Sequence, residues 1–217
     1  MEIIMGLTLL VIGFLLIYFF VKRKQQILSF AYIDDYTFHK GVISRFKKVQ
    51  SELSVDEVNT VVLGLKDYFK IHQQAGGRIL SMPSQVVDDL WHEFILFTKQ
   101  YETFCKGAAG FYVHHIPAEA MEDKITASKG IKNTWKYACE LENLNPKDPT
   151  KLPRLFTLDE RYKIPNGFYY TRNCKGHDGA AYCASHIGCS GNSGCGTGSD
   201  ASSDTGSSCS SGCGGGD

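Results

Sequence analysis

Apolar positions fall along this chain in three patterns, and each predicts a different kind of element. Between Ile3 and Val21 there is no charged residue, and Leu9 to Phe20 is nearly all apolar. At about 1.5 Å per residue such a helix just crosses a hydrocarbon core of about 30 Å. From Val55 onward the apolar residues recur at helical spacing. Val58, Val61, Val62, Leu65, Tyr68 and Phe69 share one stripe, preceded by a Ser54/Glu57 capping box with Leu53 and Val58 as its staple and followed by Gly76 and Gly77 as its stop. His72 lies within that stripe and reads as a packed core residue. The third pattern is the absence of any. From Gly188 the chain is almost only Gly, Ser, Cys and Asp, which cannot bury a core and predicts a disordered tail.

The same periodicity predicts two more helices. One begins near Pro83 and runs to about Cys105, with Val86, Val87, Leu90, Trp91, Phe94, Phe97, Tyr101, Phe104 and Cys105 on its apolar face. Asp88, His92 and Lys99 project from the other side. The next covers part of Ala118 to Leu144, anchored by Trp135, Tyr137, Ala138 and Leu141 and ended by Pro146. Tyr162 to Tyr170 reads as a short strand or hairpin. The fold class is therefore mostly α: a transmembrane anchor over 3–21, a juxtamembrane linker over 22–32, a small helical domain over 33–170, a Cys/His-containing linker over 171–187 and a low-complexity tail over 188–217.

Charge decides orientation and excludes one class of partner. The 23 basic and 23 acidic side chains balance, so there is no basic field for nucleic acid. A cleaved signal peptide would start basic and end at small residues. This run starts Met1, Glu2 and ends Tyr18, Phe19, Phe20, Val21, Lys22, Arg23, Lys24, which fits an uncleaved single-pass anchor. The basic cluster follows the apolar run, so the positive-inside bias places the bulk of the chain in the cytoplasm. There its eight cysteines stay thiols or bind metal.

Candidate chemistry concentrates in about thirty residues. Asp88 and His92 stand one helical turn apart, and Gly107 to Gly110 offers a turn that folds His114 and His115 back over them. Asp88, His92 and one or both of His114 and His115 make a donor set that suits zinc or another divalent metal. The alternative is a carboxylate placed for the helix dipole beside packing or loop histidines. His92 and Glu93 begin a zinc-protease pattern, but position 96 is Leu96, so the second ligand is missing. Trp91, Tyr101 and Cys105 read as a structural motif; Cys105, on the apolar side of a helix C-terminus, is a buried thiol rather than a nucleophile. A weaker candidate is the set Cys174, His177, Cys183, His186 and Cys189, whose spacing lacks paired Cys-x2-Cys knuckles but offers soft-metal ligands.

Pro83, Ser84, Val87, Asp88, Trp91, His92, Leu96, Thr98, Tyr101, Phe104, Cys105, His114, His115 and Pro117, with Leu152, Pro153, Leu155 and Phe156, resemble a group of uncharacterised bacterial proteins that share a membrane anchor and a Cys/Gly-rich tail. More distantly they resemble the plant glycine-rich domain proteins. The resemblance covers roughly Leu63 to Cys174 and implies a helical, membrane-tethered module without implying an activity. Where that family often has a second histidine two places after the first, this chain carries Phe94. The expected function is a non-enzymatic, metal-responsive binding or assembly module, with the membrane and a protein as partners. The alternatives are a metal-dependent hydrolase with Glu93 as base, and soft-metal capture by the tail.

Overall fold

In the computed structural model, which describes residues 2–116, 124–171 and 182–183, the apolar N-terminal run is the start of a longer element. Helix α1 (Glu2–Asp35) is one uninterrupted helix of 34 residues. It spans about 51 Å, well beyond a hydrocarbon core. Nearly every residue from 4 to 28 is exposed, and no other described helix is long and apolar enough to cross a membrane. The expected linker, 22–32, continues the same helix. Its last turns carry Ser29 and Ile33 into the core. There Lys66 donates to the Asp34 carbonyl at 2.6 Å and Lys70 to the Asp34 carboxylate at 2.6 Å, two cations where a helix C-terminus favours them.

Six further helices are described: α2 (Lys40–Val49), α3 (Val55–Ala75), α4 (Gln85–Ile95), α5 (Thr98–Ala108), α6 (Lys124–Leu141) and α7 (Leu158–Arg161), the last entered through a 3₁₀ turn (Arg154–Phe156). Helix α2 was not expected; Val42 and Phe46 are buried, Ile43 packs partly buried against the core, and Lys40, Arg45, Lys47 and Lys48 make it basic. Helix α3 starts and stops as its signals predict. The Ser54 hydroxyl accepts from the Glu57 amide while the Glu57 carboxylate accepts from the Ser54 amide, and Gly76 closes the helix at φ 58°. Helix α6 falls inside its predicted span, with Trp135, Tyr137 and Ala138 buried.

The predicted long helix from Pro83 to Cys105 is two. The chain leaves helical geometry at Phe97 (φ −87°, ψ 58°), and α5 begins at Thr98. No Gly or Pro marks the break. The Phe97 ring packs on α2 so closely that a side chain at Gly41 would lie 2.9 Å from it, and the bend lets Phe94 and Phe104 meet with ring centroids 5.3 Å apart. Nor is there a hairpin over 162–170: of that stretch only Tyr170 is in a strand, β1 (Tyr170–Thr171), which pairs in parallel with β2 (Tyr182–Cys183). The tail over 188–217 lies outside the described residues.

Helix α3 touches α1, α4, α5, α6 and the 3₁₀ turn, so its stripe forms the middle of the core. At Gly64 a Cβ would lie 2.6 Å from Leu158 and 3.1 Å from Val87, so glycine sets how closely α4 and α7 approach α3. The start of α4 is fixed from a distance. The buried Asp159 carboxylate accepts from the Ser84 hydroxyl (2.7 Å), the Gln85 amide (2.7 Å), the Val86 amide (3.1 Å) and the Phe168 amide (2.8 Å). A carboxylate at a helix N-terminus meets both its unpaired amides and the positive end of its dipole. Helix α4 carries the candidate site, and this cap sets its position.

Candidate metal centre

Helix α4 buries Val86, Val87, Leu90, Trp91 and Phe94, so residues 88 and 92 turn outward one turn apart. Because Ser84 and Asp159 occupy the helix N-terminus, the Asp88 carboxylate is left for other partners. One oxygen stands 2.9 Å from His115 Nε2 and the other 3.7 Å from His92 Nε2. The two imidazole rings lie 4.3 Å apart, and one donor atom from each of the three residues falls within 4.8 Å of the others. The Asp88 and His115 side chains are largely covered, at 19% and 13% exposure, whereas His92 is 52% exposed.

His115 arrives on the loop after α5. Gly110 adopts φ 79°, and its amide and that of Ala109 both donate to the Cys105 carbonyl, closing the helix and reversing the chain. Gly107, expected to break the helix, is inside it; a Cβ there would lie 2.6 Å from the Tyr32 ring, so its role is the close approach of α1 to α5. The loop is then pinned by Tyr101, whose hydroxyl donates to the Val113 carbonyl at 2.5 Å and accepts from Trp91 Nε1 at 3.0 Å. Trp91 in turn lies against the His115 ring at 4.5 Å. One buried hydroxyl thus ties α4, α5 and the histidine-bearing loop together.

His114 does not join the cluster. Alternate residues of an extended loop face opposite ways, and its exposed ring packs on Tyr112 at 4.8 Å. Glu93, the base a hydrolase would use, is ion-paired with Arg45 of α2. Asp89 is held by Gln50 at 2.7 Å and Gln85 at 2.9 Å. Cys105 is fully buried, and burial pushes its thiol above the usual range. His72 packs on Tyr68 at 4.7 Å; burial pulls it down to about 4, and its Nε2 has no hydrogen-bond partner among the described residues. Tyr68 is raised, first by burial and then by the charge of Asp88, which places that carboxylate's field at the wall of the core. Cys174, His177, His186 and Cys189 lie outside the described residues, and Cys183 is placed only as backbone in β2.

One donor atom from each of Asp88, His92 and His115 lies close enough to the others for a divalent ion to reach all three. Metal–ligand distances near 2.0–2.2 Å in a tetrahedral shell require donors roughly 3.3 Å apart. His115 Nε2 stands 2.9 Å from one Asp88 oxygen and His92 Nε2 3.7 Å from the other, and the three donor atoms lie within 4.8 Å, so a modest adjustment would bring them to that spacing. The residues that hold the cluster in place and that sequence reasoning did not anticipate are Arg45, Val113 and Asp159. None has a local signal, since each acts on a residue at least twelve positions away.

Fold and site together define a class: a helical domain built on the end of a long apolar helix and carrying an Asp–His–His cluster. The chain belongs to the UCP032817-like family, an uncharacterised family whose profile matches residues 29–187. That span contains the whole cluster and every helix of the domain, and excludes the apolar part of α1. No curated protein and no solved structure gives a significant match.

Proposed function

We propose that this protein is a single-pass, membrane-tethered binding module with its domain in the cytoplasm, and that it responds to a divalent ion, zinc or one like it, held by Asp88, His92 and His115. The observation that carries the reading is the convergence of three donors from two elements within 4.8 Å. Two of them are fixed on one rigid helix and the third sits on a loop. Ion binding would therefore lock residues 111–116 onto α4 more firmly than the single hydrogen bond between Asp88 and His115, and that change in the loop is what a partner protein would sense. The tether is supported by the exposed apolar length of α1, and the orientation by Lys22, Arg23 and Lys24 at its exit.

The test is metal content by elemental mass spectrometry on the full chain in detergent, purified without chelator or affinity metal. About one ion per chain is expected, lost in His92→Ala while unfolding stays cooperative. A chain truncated after Tyr182 keeps the ion if the helical domain holds it. Loss on truncation would move the site to the cysteine-rich end, and a metal-free full chain would end the proposal. A C-terminal reporter fusion checks orientation; activity on the far side of the membrane would reverse the topology.

A further inference from the structure

Among the described residues the cluster supplies three donors, and the neighbours that would complete a four-coordinate shell are all committed elsewhere. His114 turns to Tyr112, Glu93 pairs with Arg45, Asp89 is held by two glutamine amides, and Cys105 is fully buried. The side that remains uncovered is that of His92, half exposed, while Trp91, at 3% exposure, walls off the opposite side. A closed four-ligand shell is the mark of a structural zinc, whereas three protein ligands with an open position leave the ion free to bind something else.

Charge says what that something is. Metal ligation requires neutral imidazoles and an ionised carboxylate. A divalent ion on one aspartate and two neutral histidines keeps a single positive charge, and Glu93, the acid next to His92 in the chain, is already compensated by Arg45. Building on the ion site proposed above, we infer that the ion at Asp88, His92 and His115 is an open acceptor for a small oxygen-donor anion, a carboxylate or a phosphate, which enters from the His92 side and exchanges with bound water.

Cobalt(II) tests this on the full chain in detergent, because its visible bands report coordination number. The expected result is a cobalt spectrum that His92→Ala abolishes, and whose visible bands acetate or inorganic phosphate shifts saturably as the anion replaces bound water. His114→Ala is expected to leave both spectrum and anion response unchanged. If no His92-dependent cobalt spectrum forms, the ion site itself is absent. If it forms and neither anion changes it, the site is closed and this inference fails while the ion site stands. A strong near-ultraviolet thiolate band would identify a cysteine of this chain as the fourth ligand, and a spectrum altered in His114→Ala would identify that histidine; either result overturns the open site.

Discussion

Tyr101 shows how much one hydroxyl holds. It satisfies the Trp91 indole and the Val113 carbonyl at once, both buried. Tyr101→Phe keeps the ring and leaves those two groups unpaired, at about 1–3 kcal/mol each. Denaturant unfolding should show a loss of that order. Affinity for the proposed ion should fall as well, although all three donor residues remain, because the His115 loop loses its anchor. Buried titratable groups give a second residue-scale prediction. Asp67, beside Arg154 at 3.3 Å, is pushed up to about 6, first by burial, so its contribution is present at low pH and is lost as pH rises from 3.8 to 6. His72, lowered to about 4, runs the other way: its contribution is present above 6.5 and is lost as pH falls toward 4. The two slopes oppose each other between 4 and 6. Asp67→Asn should expose the His72 slope, so that this variant loses stability on acidification more steeply than the parent, measured as the denaturation midpoint across that range. A parallel pH profile in the two proteins would refute the assignment. At this scale the sequence located Asp88 and His92 on one face but left His114 and His115 equivalent, because the choice between them depends on Gly110 and on the Tyr101–Val113 bond, neither visible in spacing.

Elements whose boundaries are written locally were legible, and those shaped by distant partners were not. The capping box and Gly76 bound α3 within the chain itself. The break at Phe97 has no local signal and comes from aromatic packing against α2 and α5, and α2 itself buries too few residues to announce a stripe. Two substitutions test how the elements are held. Gly64→Ala gains up to about 1 kcal/mol of helix propensity but forces a Cβ against Leu158 and Val87, where overpacking costs about 1–3 kcal/mol. Net destabilisation is expected, with partial recovery in a double variant that also carries Leu158→Ala; simple additivity of the two losses would show that the contact is not the cause. Asp159→Asn keeps the shape but turns an amide toward two donors. A loss of about 3 kcal/mol in unfolding free energy is expected, with weaker ion binding because α4 loses its fixed start.

At the scale of the whole molecule, the apolar run and the helical domain were both legible, but the join between them was not. Residues 22–32 look like a polar linker because the surfaces that bury Ser29, and Ile33 just after it, belong to other helices. In the structure no joint separates the span from the domain, since α1 passes from one to the other without a break. The apolar stretch of about 29 Å nearly matches a hydrocarbon core of about 30 Å, so in the membrane setting proposed above a thinner bilayer would be met by tilting. From Val21 to Asp35 the helix extends about 21 Å, so a tilt of 10° sweeps its buried end sideways by about 4 Å, and the domain turns rigidly with it. With α1 as the proposed membrane anchor, the thickness of the surrounding lipid would become an input to the angle at which the His92 side faces the membrane surface, a mechanical coupling that a flexible tether would erase.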